Sequence, residues 1–372
     1  MKHPLKGRSL FQLIDKNKFD TLAKKWEMDK WVQKFSTWEM TQALICCFVM
    51  RLDSFREVQN SLGIPDSTFG DALRERCSGF FQALCDEILL DIQAKSQNRK
   101  AKKAIRQILA IDSTEIKVHG SLFSKPGWKQ KHCGKTRQAA AKLHLIWSVD
   151  GNWVDDFLIT PGRRNDSPIS QQLKLEAKKT YVFDRAYNDF TFWEKIVLAG
   201  SHFVTRLKDY PRNKMLLMKV MQKKSNQVGA LFDGDFVGSK DTPIRLRHII
   251  YRDPLTKKIF HFITSDFKLT ATMVAEIYKR RWAVELLFRW LKGHLNIRRL
   301  PTKNPNSIRA QLAISILVQL LLQLKKILDQ YSGTLWELLR DIRTSLVRKI
   351  LIEYDPPVDC RWGVTAEAGL RL

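Results

Sequence analysis

What this 372-residue chain lacks already excludes several classes of protein. Its six cysteines, Cys46, Cys47, Cys77, Cys85, Cys133 and Cys360, contain no CxxC pair, so neither a zinc module nor a disulfide framework is written in the sequence. They read as small buried hydrophobes in a reducing compartment. The histidines show no metal-ligand spacing, and His132 and His144, near the first two strands, read as structural. The opening Met-Lys-His-Pro-Leu-Lys-Gly-Arg has no continuous apolar run of the kind a secretory signal needs. The most apolar stretch, Leu312 to Leu324, is short for a bilayer and carries Gln319 and Gln323. A soluble, cytoplasmic protein with no membrane partner is the expectation. No internal repeat or low-complexity tract is evident.

Acidic residues are scarce as well: 38 Asp and Glu stand against 64 Lys and Arg, for a net charge of +26. Such an excess implies a polyanionic partner. Basic amphipathic helices also bind anionic lipid, but here the cations are spread along the chain and interleaved with aromatics, which suits an extended nucleic-acid track. With 44% hydrophobic residues and 11 tryptophans the chain folds into globular cores, and its length accommodates two or three domains.

Residues 1–100 read as a helical N-terminal DNA-binding domain, with few Gly or Pro and apolar residues spaced by three and four. Within it, Ser54 to Gly63 followed by Ile64 to Leu73 resembles a helix-turn-helix, with Gly63 ending the first helix and Asp66 or Ser67 capping the second. Its Arg51, Arg56, Arg74 and Arg76 either meet phosphates or solvate helix faces. A basic run, Lys95 to Arg106, marks a boundary or an exposed arm. Strands are then expected at Ile105 to Ile111, Lys142 to Val149 and Trp153 to Ile159, the last two joined by the hairpin signal Asp150-Gly151. A helix near Ser170 to Lys178, a strand Thr180 to Phe183, a helix Asp189 to Leu198 and a strand His202 to Leu207 follow. Three consecutive strands and then alternating α and β is the order of the ribonuclease H-like fold, so a mixed α/β sheet with flanking helices is expected over 101–207. Residues 208–264 read as a β-rich insertion with runs at Ile244 to Arg252 and Lys258 to Thr264. The core resumes over 265–330 with helices 271–293 and Ala310 to Leu328, and 331–372 is a tail, helical through Trp336 to Arg348 and irregular near Pro356 and Pro357.

The most informative segment is Tyr278 to Lys292. On one straight helix, Tyr278, Arg281, Glu285 and Lys292 fall within an arc of roughly 60°, so one carboxylate is framed by a phenol and two cations. An i,i+4 ion pair on a solvated face accounts for Arg281 and Glu285, but the rest of this helix is apolar, with Val284, Phe288 and Leu291 on one side and Trp282, Leu286 and Trp290 on another. A carboxylate repels a polyanion unless a divalent cation lies between them. Two further acids, Asp112 after Ile-Leu-Ala-Ile and Asp184 after Tyr-Val-Phe, end apolar runs; each alone reads equally as a turn-capping Asp. On neighbouring strands, with Glu285 on a helix crossing the sheet edge, they would bring three oxygen ligands together, the partial ligation that hard Mg²⁺ favours. Two such ions can activate one oxygen and stabilise another in phosphoryl transfer. Glu115, Asp150, Asp155 and Asp156 are rival acids of lower rank.

The spacing Tyr278-x2-Arg281-x3-Glu285-x6-Lys292 resembles the Y-R-E-K signature of the insertion-sequence-four type of DDE transposases. Asp184-Arg-Ala-Tyr187 is similar to the second acidic motif of that family and Ile111-Asp112-Ser-Thr to its first, and the likeness covers roughly residues 105–325. The resemblance implies a ribonuclease H-like catalytic core in which Asp112, Asp184 and Glu285 bind two Mg²⁺ ions, with Mn²⁺ as a substitute. It implies that Tyr278, Arg281 and Lys292 grip phosphates, and that Trp282 either stacks a displaced base or packs on the β insertion. The implied partners are double-stranded DNA, as transposon ends and target, and a second copy of the chain in the synaptic complex. The implied chemistry is nicking, attack of the freed 3′-OH, in some relatives through a hairpin, and strand transfer. Two other readings are a ribonuclease H-like nuclease that cuts without joining and a retired transposase serving as a DNA-binding regulator.

Overall fold

The computed structural model describes residues 9–97, 107–131, 137–163, 170–207, 218–223, 229–237, 244–298, 300 and 302–353. Runs rich in Val, Ile and aromatics pair into one mixed sheet: β1 (Ile108–Lys117), β2 (Lys129–Lys131), β3 (Arg137–Ser148), β4 (Trp153–Pro161), β5 (Thr180–Phe183), β6 (His202–Arg206), β7 (Met218–Lys223), β8 (Ala230–Val237), β9 (Arg245–Arg252) and β10 (Ile259–Thr264). Across the sheet the order is β4, β3, β1, β5, β6, β10, β9, β8, β7, with β2 pairing the start of β3. β4, β3 and β1 are antiparallel; β5 and β6 run parallel to β1. That meander followed by parallel strands is the ribonuclease H-like arrangement, as expected from the order of elements.

The β3–β4 hairpin turns on Asp150-Gly151. A Cβ at Gly151 would lie 2.4 Å from the Trp153 ring and 2.6 Å from Ser148 Oγ, so the turn closes only without a side chain. The expected strands are all present, with β1 running six residues beyond Ile111 because Asp112 to Lys117 continue to pair with β3. Residues 171–179 are turns and irregular chain, not the helix expected near Ser170 to Lys178. Lys195 Nζ, donating to the Gln171 and Leu173 carbonyls, and Tyr181, bonded to Glu176, hold that segment by tertiary contacts instead.

In the insertion, both expected runs form β9 and β10, and two further strands, β7 and β8, join them. These four extend the same sheet, because β10 pairs antiparallel with β6. A buried ion pair braces them: Arg247 donates to Asp233 through Nε at 2.7 Å and Nη2 at 2.6 Å, and through Nη1 to the Leu269 carbonyl at 2.5 Å.

Ahead of the sheet come α1 (Lys16–Lys25), α2 (Thr37–Met50), α3 (Phe55–Leu62), α4 (Asp66–Glu75) and α5 (Ser78–Gln97). Ser36 and Glu39 form a capping box on α2, and Gly63 ends α3 at φ 69°. Asp66 is already the first helical residue of α4; Pro65 takes the N-cap position with no side-chain cap, so neither Asp66 nor Ser67 caps it. Arg76 is buried, bonded to the Phe35 carbonyl, and Arg74 pairs with Asp71 at 2.8 Å. The basic run from Arg99 to Arg106, the segment near Pro356 and Pro357, Cys133, His132 and Cys360 lie outside the described residues.

After β5, α6 (Phe190–Leu198) covers one face of the parallel strands, and α7 (Ala271–Arg280), α8 (Trp282–His294), α9 (Pro305–Leu328) and α10 (Leu335–Glu353) complete the chain. The helix expected at 271–293 is two helices, broken at Arg281, where Val284 N donates to the Arg281 carbonyl in a tighter turn. α9 is long and apolar enough to cross a membrane, and longer than the apolar stretch alone suggested, but 94% of its most apolar window is buried. It packs against α2, α4, α5, α10 and β4. Each fully buried Leu there contributes on the order of 1.5–3 kcal/mol. Its glutamines have partners: Gln319 Nε2 donates to the Asn152 carbonyl at 3.1 Å and Gln323 Nε2 to that of Gly151 at 3.0 Å, fastening the β3–β4 hairpin.

Candidate active site

Register decides where the first two acids stand. β1 and β5 pair in parallel from Ile108 opposite Thr180 to Ile111 opposite Phe183, so Asp112, further along β1, and Asp184, directly after β5, follow the same pair of positions. Strand alternation turns both toward the face that carries Ala110 and Val182. On that face lies α8, which buries Val284, Leu287, Phe288 and Leu291 and presents Glu285.

Arg281 ties two of the acids together. Its Nη1 donates to Asp112 Oδ2 at 3.3 Å and its Nη2 to Glu285 Oε1 at 2.5 Å. The guanidinium is 14% exposed, and its buried Nε has no hydrogen-bond partner. It also lies 5.8 Å from the centre of the Tyr278 ring. Burial pushes the Asp112 carboxyl up to about 7; Arg281 and the Ser113 amide oppose that rise, while Asp184 and Glu285 add to it as like charges. Asp184 Oδ1 accepts from the Ala186 amide at 2.8 Å and caps a single 3-10 turn, Arg185–Tyr187. Beneath it, Thr205 Oγ1 donates to the Phe183 carbonyl at 3.1 Å, and Asn188 Nδ2 to that of Arg206 at 2.9 Å.

The other residues of the C-terminal motif occupy separate positions because the break at Arg281 ends the straight-helix arc. Tyr278, on α7, packs its ring 5.2 Å from Phe262 of β10, and burial raises its phenol despite Arg281 and Arg206 nearby. Lys292, two turns beyond Glu285 on α8, donates to Thr114 Oγ1 at 2.5 Å. Burial lowers its ammonium pKa, assisted by Arg298. Trp282 is 49% exposed with the Arg289 guanidinium 6.0 Å from its ring centre; among the described residues no aromatic ring of the insertion stacks on it. Thr114 was not singled out in the sequence, though it lies two residues beyond Asp112 on the same strand face. Arg206, which reaches over the Phe260 ring at 4.8 Å and influences Tyr278, was missed too; no local signal marks it.

The rival acids stand elsewhere. Asp150 pairs with Arg280 at 2.9 Å. Asp155, pushed up to about 6 by burial and by Glu176, accepts from Trp153 Nε1, and Asp156 accepts from the Lys174 amide. His144 is buried in β3 and bonded to Thr160.

The oxygen-only donor set of Asp112, Asp184 and Glu285 fits a hard divalent cation in kind, and the mutual repulsion at Asp112 is what such a cation would relieve. Among the described residues no three acids are close enough to enclose an ion, and the Arg281 guanidinium is bonded to both Asp112 and Glu285.

Residues 103–321 match the Transposase DDE domain family, and residues 8–66 match a domain of unknown function, DUF4372. The chain is 31% identical over 245 residues to a putative transposase of Sinorhizobium fredii, covering 63% of this chain and 65% of that one. It is 29% identical to a probable transposase for insertion sequence element IS5377 of Geobacillus stearothermophilus, covering 63% and 62% of the two chains. Both matches span just under two thirds of the relative's length. A putative transposase for insertion sequence element IS4SA of Synechocystis is 25% identical, over 76% of this chain and 78% of its own. In three dimensions the chain is similar to piggyBac transposase in a cryo-EM structure of its synaptic complex with hairpin DNA, with a TM-score of 0.51 over 94% of this chain and 82% of that one; at 11% identity the likeness is one of fold.

Proposed function

The chain belongs to the DDE transposase domain family, and from that premise we propose that it is an insertion-sequence transposase that binds its element's ends and cuts and joins DNA strands with a divalent metal. The observation that carries this is the juxtaposition of Asp112 and Asp184 at the end of the β1–β5 pairing with Glu285 joined to Asp112 through Arg281. In this reading Asp112, Asp184 and Glu285 hold two Mg²⁺ ions, for which Mn²⁺ substitutes. Ions held there would supply a lowered pKa for an attacking water or 3′-OH and charge stabilisation for the leaving oxygen.

The surrounding side chains do the rest. Arg281 neutralises the acids before metal and DNA arrive, then turns its fork to a phosphate. Lys292, held by Thr114, presents a second cation to the backbone, and Tyr278 presents a hydroxyl. The exposed indole of Trp282 offers a stacking face for an unpaired base. The helical N-terminal region meets the terminal repeats, and the charge of +26 draws the chain onto DNA in the bacterial cytoplasm. Two chains assemble on two ends so that both are cut together.

The test incubates the protein with its own element's ends and Mg²⁺ and compares wild type with Glu285→Gln. Wild type is expected to nick and join; the variant is expected to bind DNA without cutting it. Equal cleavage by both rejects the assignment, and binding without cleavage by both favours a DNA-binding regulator.

A further inference from the structure

A second cluster of metal-ligating side chains lies away from the acids, on the insertion. His248 of β9 and His261 of β10 project from the same sheet face as Leu246 and Ile263. Their rings stack 26° from parallel with centres 5.4 Å apart, and His248 Nε2 lies 3.2 Å from His261 Nδ1. Two imidazole nitrogens bound to one tetrahedral ion at about 2.0–2.1 Å each stand about 3.3 Å apart. The observed separation meets that requirement, with a rotation of the rings about χ2 directing both lone pairs onto one cation. Gly234 is the β8 residue opposite His248, so no side chain crosses above it from that strand, and Phe232 borders the pair with its ring 5.5 Å from His248.

We infer that His248 and His261 form a cross-strand site for a nitrogen-preferring transition-metal ion such as Zn²⁺, Ni²⁺ or Cu²⁺, separate from the oxygen site that takes Mg²⁺. Donor chemistry separates the two: imidazole binds late first-row ions, whereas carboxylates suit the harder Mg²⁺. In the metal-free chain one ring donates its N–H to the other; on metal binding the donor ring takes the tautomer that carries its proton on the other ring nitrogen, and both facing nitrogens then coordinate the ion. Among the described residues no third His, Cys, Asp or Glu joins the pair, so water completes the coordination. A bound ion pins β9 to β10, the strand that pairs with β6.

The experiment titrates the full chain with Ni²⁺ or Zn²⁺ by calorimetry, with Mg²⁺ in excess to fill the acidic site. Wild type, His248→Ala, His261→Ala, His261→Gln and Glu285→Gln are compared. Losing one ring forfeits the effective concentration that chelation supplies, so each histidine variant is expected to bind on the order of tenfold more weakly or worse. Glu285→Gln should match wild type, and Cu²⁺ should show the spectroscopic signature of two coordinated imidazoles in wild type and one in each histidine variant. His261 is exposed, so its variants keep the apo fold and decide the matter even if His248→Ala misfolds. Histidine variants that bind like wild type, or binding lost in Glu285→Gln, overturn the inference.

Discussion

Replacing Asp112 by Asn should stabilise the metal-free protein at alkaline pH, against the usual direction of a substitution in a packed site. The Asp112 carboxyl ionises at about 7 in the folded chain against 3.8 in its ordinary state, because burial and then two like charges outweigh Arg281 and the Ser113 amide. The folded pKa is the raised one, so the folded state holds this proton more tightly. Stability from this group is full below about pH 4, falls as pH rises toward 7, and is flat above. At about 1.4 kcal/mol per pH unit the whole displacement amounts to roughly 4 kcal/mol. The side chain is 16% exposed, so solvent screens little of it. Asn forfeits the attraction to Arg281, and a net gain of about 1–3 kcal/mol at pH 8 is expected, shrinking toward zero near pH 4.5. Urea denaturation of both proteins in EDTA across that range measures the difference, in which titrating groups distant from Asp112 cancel. Millimolar Mg²⁺ should then raise wild type above the variant. A gap that stays constant with pH, or that favours wild type at pH 8, refutes the reasoning.

Three further outcomes are expected. Thr114→Val keeps the strand but leaves the half-buried Lys292 ammonium without its hydroxyl partner, costing about 1–2 kcal/mol in urea melts and lowering DNA cleavage more than DNA binding. Gln319→Leu strips the Asn152 carbonyl of its donor and the Val154 amide of its acceptor in the buried joint between α9 and β4, for a loss on the order of 1–3 kcal/mol; an unchanged melting temperature would contradict this. Arg247→Met leaves Asp233 charged and unpaired inside the extended sheet, with an expected cost of about 3–5 kcal/mol, whereas Arg247→Met combined with Asp233→Leu should recover much of it.

The sheet was legible because its strands are apolar runs ending on turn residues, and β5 could be read to the residue. Asp112 and Asp184 stood out for the same reason: each interrupts such a run with a charge. The arc through Tyr278, Arg281, Glu285 and Lys292 was legible only as a spacing. A helical wheel assumes a straight axis, and nothing in Lys-Arg-Arg-Trp announces that the chain tightens at Arg281. The consequence, a guanidinium shared between Asp112 and Glu285, joins residues 169 positions apart and depends on how α8 lies over β1. The helix expected near Ser170 to Lys178 does not run past Ser170 for a related reason. Its local pattern is weak, and contacts from Lys195 and Tyr181 decide the path. The partners of Gln319 and Gln323 were hidden as well, since polar residues on an apolar helix disclose that they need partners but not which ones.

The chain leaves the parallel strands at the end of β6, runs through β7, β8 and β9 at the far side of the same sheet, and returns at β10, the strand hydrogen-bonded to β6. Exit and return are thus side by side, and the stretch that delivers α7, α8 and Glu285 starts beside that edge, braced by Arg247 of β9 at the Leu269 carbonyl. Length can be gained or lost beyond β9, as in a drawer sliding from a fixed cabinet, while Glu285 keeps its link to Asp112 through Arg281. A reporter peptide grafted between β7 and β8 should leave strand cutting intact.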